Sequence, residues 1–267
     1  MKYLSLFSGI GGFELGIQNA FKRKNQKAIC VGYSEIDKHA IQIYQSHFSG
    51  HKNYGDVTSI SEKELPDFEL LVGGFPCQPF SIAGNRKGFA DTRGTAFFDI
   101  ARIVKQKQPR LLLLENVKGL LYHEGGKTFG TILSALDELG YDIQWQVLNS
   151  SSWVPQNRER VFIIGHHRKI SRPQVFPIGS HSRADIIVPT LTARYWGAQA
   201  NGGYISEKPS PNGKRKLRRL TPLECERLQG FPDGWTKCVK DAQRYECLGN
   251  AVTVNVIESV VKKLYKS

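Results

Sequence analysis

No apolar stretch in these 267 residues is long enough to cross a bilayer. The N-terminal run Met1-Lys2-Tyr3-Leu4-Ser5-Leu6-Phe7 passes into glycines without the hydrophobic core and cleavage site of a signal peptide. The chain is therefore expected to be intracellular, with no membrane partner. Cysteine is sparse: Cys30, Cys77, Cys225, Cys238 and Cys247 are odd in number, and no pair has C-x-x-C spacing. Neither a disulfide framework nor a zinc site is indicated. His47 and His51 stand four apart with Gly50 between them. Without a carboxylate or cysteine pattern around them they read as a solvated turn, and no metal is expected. Acidic residues are short as well, 24 against 37 basic ones, for a net charge of +13. Part of the excess is local, since Lys214, Arg215, Lys216, Arg218 and Arg219 fall within six positions. A basic surplus attracts polyanions, nucleic acid first, although a charged loop would also account for the cluster.

What is present suits a folded protein. Hydrophobic residues make up 40% of the chain, and its length allows one large domain or one with a small satellite. Over the first two-thirds, short apolar runs alternate with amphipathic stretches. Residues 3–7 read as a strand, and Phe13, Ile17 and Phe21 follow at helical spacing. Residues 29–33 read as a second strand and 37–47 as a second helix. Residues 70–72 and 111–114 are further buried strands, with a helix near 95–107 between them. Residues 144–148 and 161–164 read as late strands, an antiparallel pair at the sheet edge. This alternation implies an α/β fold, a mostly parallel sheet with helices on both faces. In such sheets ligands bind at the carboxyl ends of the strands. Beyond about residue 166 the texture changes. Residues 167–217 are rich in Arg, Pro, Gly, Ser and Asn and read as a small irregular lobe. Thr221-Pro222-Leu223-Glu224 is a capping box with proline at the first helical position, opening a helix that stops at Gly230. Val254, Ile257, Val261 and Leu264 share one helical face, which is expected to pack back onto the main domain.

Three sites stand where chemistry is expected. The most distinctive is Gly73-Gly74-Phe75-Pro76-Cys77-Gln78-Pro79-Phe80-Ser81, directly after a buried strand. Pro76 and Pro79 leave the Cys77 loop few conformations, which suits a nucleophile; a small buried hydrophobe is the bland alternative. Phe7-Ser8-Gly9-Ile10-Gly11-Gly12 opens the first helix, where glycines let a cofactor approach the backbone. Ser34-Glu35-Ile36-Asp37 ends the second strand with acids suited to ribose hydroxyls, and Gly55-Asp56-Val57 supplies another acid where a third strand end could lie. The glycine spacing departs from G-x-G-x-x-G, so a nicotinamide dinucleotide is not the natural ligand. In Leu114-Glu115-Asn116-Val117, Glu115 ends the four-leucine strand on the rim that carries Cys77. A desolvated glutamate there could donate a proton, or could equally be a cap or an ion pair. In Gln156-Asn157-Arg158-Glu159-Arg160 the two arginines alternate and share a face. They could hold a phosphate or a base carbonyl and favour the Cys77 thiolate, unless the strand is simply exposed with mixed charge.

Taken together, these runs resemble the DNA (cytosine-5)-methyltransferases of prokaryotic type. F-S-G-I-G-G, S-E-I-D, G-D-V, G-F-P-C-Q-P-F-S, L-E-N-V and Q-N-R-E-R come in that family's order. R-R-L-T-P-L-E-C-E-R-L-Q-G-F-P and Y-E-C-L-G-N-A-V follow. The resemblance implies a Rossmann-like domain that binds S-adenosylmethionine, residues 1–166 completed by a C-terminal helix 244–267. It implies a target-recognition lobe, residues 167–243, across a cleft for double-stranded DNA. Cys77 would attack C6 of a flipped-out cytosine, Glu115 would act at N3, and Arg158 and Arg160 would orient the base. Phe7, Gly9, Gly11, Gly12, Glu35, Ile36, Asp56, Pro76 and Asn250 would line the cofactor site. Arg194, Tyr195, Trp196 and Gln199 would read bases or phosphates, and Lys214, Arg215 and Lys216 would touch phosphates. The same resemblance suggests a monomer in a bacterial cytoplasm, associated with the nucleoid, with a cognate restriction endonuclease acting separately. A tRNA cytosine-5 methyltransferase of the same superfamily and a non-catalytic sequence-specific DNA-binding protein are the alternatives.

Overall fold

The computed structural model describes residues 1–22, 27–77, 96–170, 174–179, 188–193, 204–206 and 217–265. Strands β1 (Lys2–Leu6), β2 (Ile29–Ser34), β3 (Leu70–Gly74), β4 (Leu111–Val117), β5 (Tyr141–Asn149) and β7 (Glu159–His167) form a six-stranded sheet in the order β2-β1-β3-β4-β7-β5. The β1–β2, β1–β3 and β3–β4 pairs are parallel, whereas β7 runs antiparallel to both β4 and β5. The late strands are thus the antiparallel pair expected at the edge, with β7 inserted between β4 and β5. Because the chain leaves β1 for β2 on one side and reaches β3 on the other, the strand order reverses at β1. Ligands of open α/β sheets bind at such a reversal, outside the carboxyl ends.

The apolar runs feed both faces of the sheet. In β4, Leu112 and Leu114 face α3 (Ala96–Lys107) and α4 (Lys127–Glu138), while Leu111 and Leu113 face α1 (Gly12–Phe21) and α7 (Val254–Leu264). A strand buried on both sides has no reason to alternate with polar residues, which is why β4 reads as a run of leucines. As its apolar face implied, α7 docks on α1, with Ile257 and Val261 against Phe13 and Ile17.

Several details depart from the sequence reading. The helix α4 is unanticipated; it buries only Phe129, Ile132, Ala135 and Leu136 with Thr128, a short stripe between polar flanks. No strand ends at Gly55: beside β2 there is one isolated bridge, Tyr33 to Asn53, and Asp56 instead caps a short 3-10 turn at residues 57–59. The expected single C-terminal helix is two, α6 (Asp241–Asn250) and α7, broken at residues 251–253. The Thr253 hydroxyl there is held by Gln229 rather than by a helix. His47, exposed, and His51, half-buried, do flank an exposed turn at residues 49–50, but each ring has a partner. The His47 ring stacks on Trp235 at 3.5 Å, and Nδ1 of His51 meets the Tyr44 hydroxyl at 2.9 Å.

The helix α5 (Pro222–Leu228) begins with the expected capping box at Thr221 and Glu224 and gives way at Gly230, which adopts φ +77°. Within the stretch assigned by sequence to the second lobe, residues 220–238 pack against α1 and α2 (Lys38–His47). Leu228, Phe231 and Trp235 share a cluster with Ile10, Tyr44 and Phe48, and the Trp235 indole donates to the Ile10 carbonyl at 2.9 Å. Short strands complete the fold: β6 (Gln156–Asn157) pairs with β8 (Val188–Pro189), and β9 (Tyr204–Ser206) pairs with β10 (Leu217–Arg219).

Candidate active site

Parallel pairing brings the carboxyl ends of β1, β3 and β4 to one rim. In register, Gly74 on β3 lies beside Glu115 on β4, and a Cβ on Gly74 would sit 3.2 Å from Oε2 of Glu115. The chain then turns through buried Phe75 and exposed Pro76 to an exposed Cys77. Asn116 fixes this turn. Its amide nitrogen donates to the Phe75 carbonyl at 2.9 Å, and its Oδ1 accepts from the Val117 amide at 2.8 Å. No role for Asn116 follows from sequence alone; the available signal was a polar residue beside Glu115 near the end of an apolar strand, and in the fold it is 2% exposed.

Antiparallel β7 supplies the basic partner. Glu115 faces Phe162 across the ladder, and Arg160, two residues away, lies on the same face. Nε of Arg160 sits 3.1 Å from Oε1 of Glu115, with both side chains largely buried. Burial pushes the Glu115 carboxyl above the usual carboxylate range, against the opposing pull of Arg160 and Arg158. Glu159 turns the other way, to Lys118 at 2.9 Å, as strand alternation requires. Arg158 shares the Arg160 face, but three of its donors go to backbone carbonyls: Leu191 at 3.0 Å, Gly249 at 3.1 Å and Ala251 at 2.9 Å. Burial raises the pKa of the Cys77 thiol.

On the cofactor side, the loop after β1 is tied to the end of β2. Glu35 accepts the Gly9 amide at 2.8 Å and the Ile36 and Asp37 amides at 2.8 and 2.9 Å. Asp37 is occupied as the cap of α2, accepting from His39 and Ala40. Asp56 accepts the Thr58 amide, which holds its carboxyl below the usual range. Phe7 adopts φ +54°, a conformation L residues seldom take, and bends the chain out of β1. A Cβ on Gly9 would meet nothing within 4 Å, so the loop faces open space. Ile36, 72% exposed, presents a bare apolar side chain beside Glu35. Gly11 and Gly12 are buried at the start of α1, and Asn250 is exposed at the end of α6. An acid with one acceptor position to spare, an exposed apolar side chain and an open backbone loop fit the ribose and base of a nucleoside cofactor. The residues expected to read DNA, Arg194, Tyr195, Trp196, Gln199, Lys214, Arg215 and Lys216, lie outside the described residues.

A sequence model of the C-5 cytosine-specific DNA methylases matches residues 1–185 and 180–266. The chain belongs to that family. This methylase is 39% identical over 305 residues to the type II methyltransferase M.NlaX of Neisseria lactamica, covering 98% of this chain and 96% of the relative. It is equally identical over 307 residues to M1.ScrFI of Lactococcus lactis subsp. cremoris, covering 98% of this chain and 77% of that one. A crystal structure of a Spodoptera frugiperda DNMT2 mutant shares the fold, with a TM-score of 0.79, 20% identity and 99% of both chains covered. The methylase is an S-adenosylmethionine-dependent DNA (cytosine-5-)-methyltransferase on a Rossmann-like fold. Among the described residues no helix is long and apolar enough to cross a membrane, and no cluster of three or more His, Cys, Asp or Glu side chains could hold a metal.

Proposed function

We propose that Cys77, Glu115 and Arg160 form the reacting centre for a cytosine turned out of double-stranded DNA. The observation that carries this is the register of β3 with β4. It places a buried, arginine-paired carboxyl beside Gly74, three residues before an exposed cysteine. C5 of an aromatic pyrimidine is a poor nucleophile until C6 is saturated, and a covalent bond from the Cys77 sulfur to C6 supplies that saturation. Glu115, raised by burial, holds a proton at N3 and disperses the charge that develops on the ring. Arg160 fixes the Glu115 carboxyl and lies where it can orient the base. S-adenosylmethionine supplies an electrophilic methyl group when it is bound by Phe7, Gly9, Gly11, Gly12, Glu35, Ile36, Asp56, Pro76 and Asn250. Loss of the C5 proton to water then restores the C5–C6 double bond, expels Cys77 as its thiolate and leaves 5-methylcytosine. Asn116 keeps the thiol loop at a constant distance from Glu115 throughout.

Residues 1–166 with the C-terminal helices form the catalytic part, and the basic region after residue 166 forms the target-recognition lobe. Turning the base out costs roughly a few kcal/mol, which phosphate contacts from that lobe help to offset. The setting is a monomer in a bacterial cytoplasm, on the nucleoid, with any cognate endonuclease acting separately. Bisulfite sequencing of plasmid DNA from cells expressing the chain, beside Cys77→Ala, tests the reading. Cytosines protected in one short sequence context, and unprotected in the variant, are expected. Protection that persists in Cys77→Ala would rule out the covalent route.

A further inference from the structure

One buried guanidinium joins stretches of chain that are far apart in sequence. Arg158 is 2% exposed, and its Nη1 serves the Leu191 carbonyl while its Nη2 serves those of Gly249 and Ala251. A planar guanidinium holds several acceptors at set angles, which an ammonium on a flexible stem does not. The two stretches also touch directly. A Cβ on Gly249 would lie 2.2 Å from the Thr192 carbonyl carbon and 2.3 Å from the Ala193 nitrogen. Backbone therefore rests on backbone there, and only glycine permits it. Further polar groups lock the same junction. The fully buried Gln156 donates to the Leu228 carbonyl at 2.9 Å and accepts from the Leu191 amide at 3.1 Å. The Thr190 hydroxyl donates to the Asn157 carbonyl at 2.5 Å. These bonds set a distance between segments, which apolar packing alone leaves adjustable.

We propose that Arg158 is a positioning residue rather than a reader of the target base. Through the Gly249 junction it registers the segment leading into the recognition lobe against the turn that carries Asn250, and so sets where the target sits relative to the methyl donor. The inference rests on the assignment, made above, of the lobe to DNA and of Asn250 to the cofactor. Arg160 keeps its pairing with Glu115 and is not part of the clamp.

Two variants disturb the junction in different ways: Arg158→Lys loosens the clamp, and Gly249→Ala pushes the backbones apart. Gly249 has no side chain that could touch a base, so its variant acts through position alone. The readouts are the affinity ratio of cognate to single-mismatch duplexes by gel shift, kcat at saturating substrates, and amide hydrogen exchange of residues 191–193 and 249–251 without ligands. Both variants are expected to lower the affinity ratio by about tenfold and kcat on the order of 10²-fold, since displacement by about 1 Å has effects of that size. Faster exchange in both segments is expected alongside. Ile132→Val, in the core under α4, controls for lost stability and is expected to keep the wild-type ratio. Failure of Arg158→Lys with Gly249→Ala at wild-type values would mean that the guanidinium acts on the base, and would overturn the proposal. Should both variants fail to fold, Thr190→Val removes a single hydroxyl bond and is expected to lower the ratio about threefold; an unchanged ratio would overturn it. A wild-type protein that methylates no duplex removes the functional reading itself. One that methylates while its variants keep the wild-type ratio removes only the role given to Arg158.

Discussion

Glu115 and Glu14 are two of the carboxyls that lie out of water among the described residues, and their partners give them different work. Glu115 lies 3.1 Å from Arg160, yet burial outweighs that attraction and lifts its pKa above the usual carboxylate range. Glu14 on α1 is fully buried and accepts from the Tyr44 hydroxyl at 3.2 Å, with the Ser5 side chain and its own backbone also favouring the charged form. Tyr3 and Ser5 of β1, Cys30 of β2, Tyr44 of α2 and, farther off, Glu35 face it, and none of them is cationic. Burial is the main cause that lifts its pKa from the ordinary 4.5 to about 7. Because the folded state binds this proton more tightly than the unfolded chain, stability falls as pH rises from about 4.5 to about 7 and then levels. The full loss is on the order of 3 kcal/mol. Glu14→Gln is expected to be more stable than the wild type at pH 8 and no more stable at pH 4, as measured by urea denaturation at both values. Equal stability of the two proteins at pH 8 would show that Glu14 is not held in this way.

At the scale of elements, the site depends on helices that contribute no reacting atom. α7 covers the sheet face opposite α3 and α4 by packing on α1, which follows directly on the glycine loop proposed to hold the cofactor. Ile257 is fully buried at that contact. Ile257→Ala is expected to cost about 2–5 kcal/mol, read as a lower urea midpoint at unchanged slope. A loss well under 1 kcal/mol would mean that α7 is not docked on α1. Strand β4 was legible because a doubly buried strand must be apolar on both faces, and α7 because its stripe repeats for three turns. Helix α4 was missed although Phe129, Ile132, Leu133 and Leu136 repeat at helical spacing, a signal that could have found it. The break between α6 and α7 was hidden from sequence, and the Thr253 hydroxyl within it donates to Gln229, a contact made across the fold.

For the whole molecule, the +13 charge predicts how it meets DNA. Each phosphate neutralised releases condensed counterions, so affinity for duplex should fall steeply with salt. If about six phosphates are contacted, a loss of roughly 10³-fold between 50 and 200 mM salt is expected. Fluorescence anisotropy with a labelled duplex over that range measures it, and a flat response would mean that the basic residues are not the DNA surface.

The proposed reacting groups could be picked out from the sequence alone. A proline-flanked cysteine after one buried strand and a glutamate ending another follow from local rules on backbone freedom and burial. So did the parallel order that sends both to one rim. Tertiary structure decided what each arginine does. Alternation along β7 puts Arg158 and Arg160 on one face and says nothing more. Their division of labour arises because residues 191 and 249–251, distant in sequence, bring carbonyls to one guanidinium and leave the other to Glu115. Hydrogen bonds between segments far apart in the chain leave no periodicity to read, because their partners are chosen only when the sheet and its covering helices close.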